Sequence, residues 1–266
     1  MTSTPRHQLG DFEEIKSVIE PFWHVWNILL QEVPVECIDR IVNANRPEDG
    51  MSMYTLYVEK PLRLANDTSV FPLTISPSTV PVSSQLQTAI LKLNYCDFAV
   101  YVFLKHIAKS LQTIGARVDW LFVKPNPLML IHYSDTEPDT PNHSVFIITS
   151  QQGERFIADF TIEQFGYPSD WWFKKLGDYI GNCAKNINGW WSAADDDDLR
   201  NGGKIANPGT VQWDLKMIIE DICKDPEWNM VGEVTHEQTE WIQTHVEAYY
   251  DRECDKLASE DKSSTN

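Results

Sequence analysis

The sequence predicts an α+β fold, and three observations carry that reading. The segment from Gln85 to Gly115 has the strongest helical pattern, with an apolar stripe through Ala99, Phe103 and Ile107 and a glycine placed to stop it. Two apolar runs follow, HSVFIITS and ERFIADFT, separated by QQG, a three-residue connection ending in glycine that suits a hairpin of antiparallel strands. The chain closes on helical patterns, the clearest being the amphipathic stretch TEWIQTHVEAYYDREC.

The elements are expected in the following order. FEEIKSVIEPFWHVWNILLQEV repeats apolar residues every three or four positions and reads as helix, with Pro21 either kinking it or opening a second segment. MSMYTLYVEKPLRLA alternates in part and is rich in Tyr, Val and Leu, which predicts a strand. Pro72, Pro77 and Pro81, with Pro61 shortly before, lie among many Ser and Thr and describe an extended linker with a boundary near residue 82. The organisation read from this is an appended helical and extended region at 1–82, a core at 83–257 and a polar, disordered tail at 258–266. Within the core, ARVDWLFVKP follows Gly115, and WWFKKLGDYI and DLKMIIEDICKD read as helices.

Composition narrows the function. With 266 residues and 42% hydrophobic content the chain can bury a full core, while 39 acidic against 22 basic residues leave a formal charge of −17. That field repels phosphate backbones and anionic lipid, so neither nucleic acid nor a membrane is expected as a partner. MTSTPRHQLGDFEE has no basic start and no apolar run, and the protein is expected in the cytoplasm. Cys37, Cys96, Cys183, Cys223 and Cys254 are scattered without CxxC spacing, which fits neither a disulfide framework nor a zinc clip. AADDDDLRNGG lacks the terminal glutamate of a calcium loop and reads as an acidic solvated loop; no metal and no cofactor is expected.

Cys96 carries the chemistry, against the simpler reading of a core cysteine. Asn94 is a good N-cap and Asp97 an acidic partner of a capping box, so a helix is expected to begin here with Cys96 in its first turn. There the unpaired amides and the helix dipole favour thiolate, although Asp97 opposes it. His143 opens the run HSVFIITS. With QQG as the loop, position 145 faces 159, which puts Asp159 diagonally beside His143 on one side of the sheet. A thiol, a histidine to take its proton and an acid to hold the histidine form a nucleophilic set. Trp171 and Trp172, like Trp190 and Trp191, are candidate lining for a substrate groove, and Gln164 is a further substrate-contacting candidate.

NYCDFA, IGARVDWLFV, NHSVFII and GERFIADFT, taken in order, resemble the transglutaminase-like superfamily on the papain-like fold. The resemblance covers about residues 85 to 165. It implies Cys96 as nucleophile, His143 as base and Asp159 as orienting acid, on a core in which the helix bearing the cysteine packs on an antiparallel sheet. Members often carry an aromatic two residues beyond the histidine and a proline after the aspartate, where this chain has Val145 and Phe160. The family spans transamidases, proteases, deglycosylases and inactive members. The Arg-Gly-Gly stretch expected before the cysteine of arylamine acetyltransferases is absent.

The expected activity is cysteine-dependent acyl transfer. A small-molecule or peptide acyl substrate forms a thioester at Cys96 and passes to an amine acceptor or to water. The Cys96 N–H would supply one oxyanion donor, with Gln85 or Gln87 as candidates for the second. The alternative is a non-catalytic interaction module on the same scaffold.

Overall fold

The computed structural model of the protein describes residues 11–32, 38–44, 51–58, 82–136, 140–192, 210–225, 228 and 235–264. The proline-rich linker at 69–81 and the acidic loop at 193–203 lie outside these residues, as do the side chains of Trp190 and Trp191. The fold is mixed α+β, with two sheets and six α-helices among the described residues.

Helix α1, Asp11–Glu32, opens on Asp11, Glu13 and Glu14, whose charges complement the positive end of the helix. It is a single helix with Pro21 inside. An interior proline costs about 3 kcal/mol through a lost hydrogen bond and a clash. Burial of Ile15, Ile19, Phe22, Val25, Trp26, Leu29 and Leu30 along one face, at about 1.5–3 kcal/mol each, outweighs it.

Strands β1, Ile38–Asn43, and β2, Ser52–Val58, pair antiparallel, and β2 lies parallel to β4, Met129–Tyr133. Helix α2, Ser84–Leu91, packs Leu86, Ala89 and Ile90 on this small sheet, against Ile41, Leu56 and Ile131. Helix α3, Cys96–Leu111, follows after a turn, and Gly115 ends the 3-10 extension Gln112–Ile114 with φ 70°. A positive φ of this kind is readily adopted only by glycine.

The larger sheet is antiparallel throughout. Its order is β7-β6-β5-β3-β8, from β3 (Arg117–Pro125), β5 (His143–Thr149), β6 (Arg155–Ala158), β7 (Phe173–Lys175) and β8 (Ala184–Ser192). QQG forms the hairpin loop, with Ser150 N–H donating to Glu154 O at 2.9 Å and Gly153 at φ 86°. Helix α3 lies on β3 and β5, and α1 packs against α3 from the other side, so Trp26, Phe103, Leu121 and Ile147 belong to one hydrophobic core. Helices α4 (Leu176–Cys183), α5 (Val211–Lys224) and α6 (His236–Ser264) complete it.

Two details differ from the sequence reading, at β7 and at the C-terminal end. WWFKKLGDYI is not one helix: Phe173–Lys175 pairs with β6 as an edge strand, and helix begins only at Leu176. Phe173 gains contact there with Phe12 and Phe156, a tertiary gain that outweighs local helical pattern. The chain before residue 82 supplies α1 to the main core and β1 and β2 to the small sheet. The backbone from 258, expected as a disordered tail, continues α6 through Ser264.

Candidate active site

The cysteine side of the site is a reversal of the chain between two helices. Lys92 closes α2, Asn94 adopts φ 63° and Tyr95 occupies the N-cap of α3 without a side-chain capping bond. Asn94 is therefore not the cap expected from sequence. Asparagine tolerates the left-handed region, and using it there turns the chain so that Cys96 becomes the first helical residue. The first intrahelical bond is Ala99 N–H to Tyr95 O at 2.8 Å, which leaves the Cys96 N–H at the open end of the helix. Asp97 does not close a capping box. Its Oδ1 accepts a short hydrogen bond from Ser144 Oγ and lies 3.7 Å from Cys96 Sγ.

The other side is the start of the hairpin. His143 and Asp159 are both fully buried, with Nε2 of the imidazole 2.7 Å from Oδ2 of the carboxylate. Asp159 is held by further donors: Thr161 N–H to Oδ1 at 3.0 Å, and Tyr179 O–H to Oδ2 at 2.7 Å. Its own N–H donates to Trp172 O at 2.7 Å, anchoring it to the stretch before β7. The His143 and Phe165 rings meet edge-to-face with their centroids 4.7 Å apart.

Burial alone would pull the His143 pKa down. The charge and hydrogen bond of Asp159 oppose that, with a hydrogen bond and charge from Cys96 adding to them, and the balance raises it to about 10. At neutral pH the ring is an imidazolium set between a carboxylate and a sulfur. Burial and the nearby Asp159 push Cys183 up to about 12, and burial and Glu220 push Cys223 up to about 12. All three cysteines are free.

Of the candidate residues, the structure brings Cys96, His143 and Asp159 into one buried cluster, and Gln164 with them. Gln164 is 4% exposed; its Oε1 accepts from Asn94 N–H at 3.4 Å, its Nε2 donates to Thr161 Oγ1 at 3.0 Å and lies 3.5 Å from His143 Nδ1. Trp172 is not groove lining: it is 3% exposed and stacks on Trp23 at 4.9 Å, inside the core. Trp171 is half-buried, packing on Tyr167 with the Lys174 ammonium 5.0 Å from its ring. Gln85 is committed to the Gly166 carbonyl at 2.7 Å, and Gln87 is exposed.

Tyr179 was missed by sequence reasoning. Burial and Asp159 hold its hydroxyl well above the ordinary tyrosine pKa, so it stays a neutral donor. It lies twenty positions beyond Asp159 on a separate helix, and no local spacing marks it. Also unread was the ion pair of Lys92 with Glu163, 2.8 Å apart and nearly fully buried beside the same cluster.

Among the described residues, no group of three or more His, Cys, Asp or Glu is arranged to hold a metal ion, and no helix is long and apolar enough to cross a membrane. Comparison with protein-family models, with curated proteins and with solved structures finds no match.

Proposed function

We propose that the protein is a cysteine-dependent acyl-transfer enzyme of transglutaminase-like type, on a papain-like core. The observation that supports this most is the fully buried His143–Asp159 hydrogen bond at 2.7 Å, whose imidazole is raised to about 10 with Cys96 as its other partner. The Cys96 thiolate attacks the carbonyl carbon of an amide or activated acyl group, and the Cys96 N–H at the open end of α3 donates to the resulting oxyanion. Collapse breaks the bond to the leaving amine, which takes its proton from the His143 imidazolium, and leaves a thioester. An amine acceptor or water then attacks with neutral His143 as its base, and the thiolate departs. Asp159 keeps Nδ1 of His143 facing the sulfur by holding Nε2.

A second reading, a non-catalytic interaction module on the same scaffold, is favoured by the burial of Cys96, which is 9% exposed, and by the closeness of its thiol to Asp97. The two separate on acylation. The full chain, incubated with a p-nitrophenyl ester and read by intact and peptide mass spectrometry, is expected to carry an acyl group at Cys96 that a primary amine removes. Absence of any adduct at Cys96, with the fold intact, favours the interaction module.

A further inference from the structure

The two halves of the site reach each other from separate segments. Cys96 follows the turn at 92–95, while Asp159 leads into the 3-10 helix Ile162–Phe165. Between these segments stand three links. Lys92 Nζ lies 2.8 Å from Glu163 Oε1, Asn94 N–H donates to Gln164 Oε1 at 3.4 Å, and Gln85 Nε2 donates to Gly166 O at 2.7 Å. Gly166 sits at φ +82°, and a Cβ there would fall 2.7 Å from Met129 Cβ, so the end of the 3-10 helix is pinned against β4.

The first link is costly. Lys92 and Glu163 expose 2% and 5% of their side chains, and Glu163 Oε2 finds no hydrogen-bond partner among the described residues. The approach at Oε1 is an ion pair rather than a well-aligned hydrogen bond. Burial drags the two groups toward neutrality, lowering Lys92 and raising Glu163. Apolar side chains of the same volume would fill such a space at less cost, so a pair of this kind brings direction rather than stability. It also stands within electrostatic reach of Asp159, whose charge acts on both members. The Lys92 ammonium lies 5.9 Å from the Trp23 ring, which stacks in turn on Trp172, the residue whose carbonyl holds the Asp159 N–H.

We propose that Lys92 and Glu163, together with the Gln164 amide, are positioning residues that set the Cys96 turn against the His143 and Asp159 strands. The role in catalysis rests on the acyl-transfer reading; the geometry does not. Gln164 joins the two sides directly, one end of its amide on the Asn94 N–H and the other beside His143 Nδ1. A sulfur displaced by an ångström no longer faces the imidazole, and misplacement on that scale costs about a hundredfold in rate.

The test uses the full chain with Lys92→Met, Gln164→Ala and the double variant Lys92→Met with Glu163→Leu. Three readouts are taken: melting temperature, the rate of Cys96 alkylation by iodoacetamide, and the midpoint of His143 ring titration by NMR. Asp159, Cys96 and Tyr179, through its bond to Asp159, are the groups whose placement sets that midpoint. The single variants are expected to slow alkylation at least about tenfold and to bring the His143 midpoint down, because the sulfur has left the ring. In the double variant the melting temperature is expected to recover while alkylation stays slow and the midpoint low. Recovery of all three together would overturn the proposal, since the pair would then be filler that apolar side chains replace. If the single variants fail to fold, the double variant decides alone. Should wild-type Cys96 prove unreactive, acyl transfer fails, and the His143 midpoint still judges the brace.

Discussion

Two buried ion pairs sit side by side in this molecule and have been driven in opposite directions. His143–Asp159 is fully buried, and its imidazole is shifted toward the charged form, raised to about 10. Lys92–Glu163 is nearly as buried and nearly as short, yet both of its members are shifted toward their neutral forms. Burial is common to both, so burial does not decide the outcome. The difference is in the donors. Asp159 accepts from Thr161 N–H, Tyr179 O–H and His143, which replace the water it lost, whereas Glu163 Oε2 has no hydrogen-bond partner among the described residues. A buried charge is kept where the fold supplies hydrogen bonds to it, and that is where His143 stands.

The comparison breaks most readily at the reacting residues. Cys96→Ala and Cys96→Ser are expected to abolish turnover with the circular dichroism unchanged, since the sulfur is small and is the nucleophile of the proposed reaction. His143→Ala should be nearly as damaging to activity. It should also cost about 3–5 kcal/mol in urea unfolding, because it strands the Asp159 carboxylate in the interior. Lys92→Met should cost less, about 1–3 kcal/mol, because Glu163, already raised, can take up a proton and stay neutral. A larger loss for Lys92→Met than for His143→Ala would reverse the ranking of the two pairs. The smallest effect is expected from Tyr179→Phe, about 1–2 kcal/mol, with one of several donors to Asp159 removed.

The same contrast has a pH signature. His143 binds its proton more tightly folded than unfolded, so its contribution to stability is complete below about 6.5 and is lost as pH rises toward about 10. Lys92 runs the other way: its lowered pKa is a penalty at neutral pH that eases as pH climbs toward 10.5. Asp159→Asn should therefore flatten the loss of stability between pH 6.5 and 10 measured by urea titration, and Lys92→Met should steepen it. An unchanged slope in Asp159→Asn would mean that His143 is not held by that carboxylate.

How much of this the sequence carried depends on the range of the interaction. The meeting of His143 and Asp159 was legible because side chains alternate along strands and QQG fixes the hairpin register, with Ile147 opposite Ile157. Cys96 at a helix start was legible from the break before it, although the device is a left-handed Asn94 and not a cap. β1, β4 and β8 were not read as strands, and β7 was read as helix; β4 and β8 are each defined by a partner strand distant in sequence, β2 and β3 respectively. Tyr179 and the Lys92–Glu163 pair were invisible for the same reason. A lysine after an amphipathic helix looks solvated until the 3-10 helix beyond Asp159 is folded over it.

The central claim is that the cysteine paired with the buried imidazolium is a nucleophile, and its most direct test is the competition among the thiols themselves. The full chain is treated with limiting iodoacetamide at neutral pH, and each cysteine is quantified by peptide mass spectrometry. The account predicts that Cys96 is labelled first and faster than free cysteine under the same conditions, while Cys183 and Cys223, pushed up to about 12, stay unmodified. Labelling of Cys96 no faster than free cysteine, or an inert Cys96 in the folded protein, would contradict it.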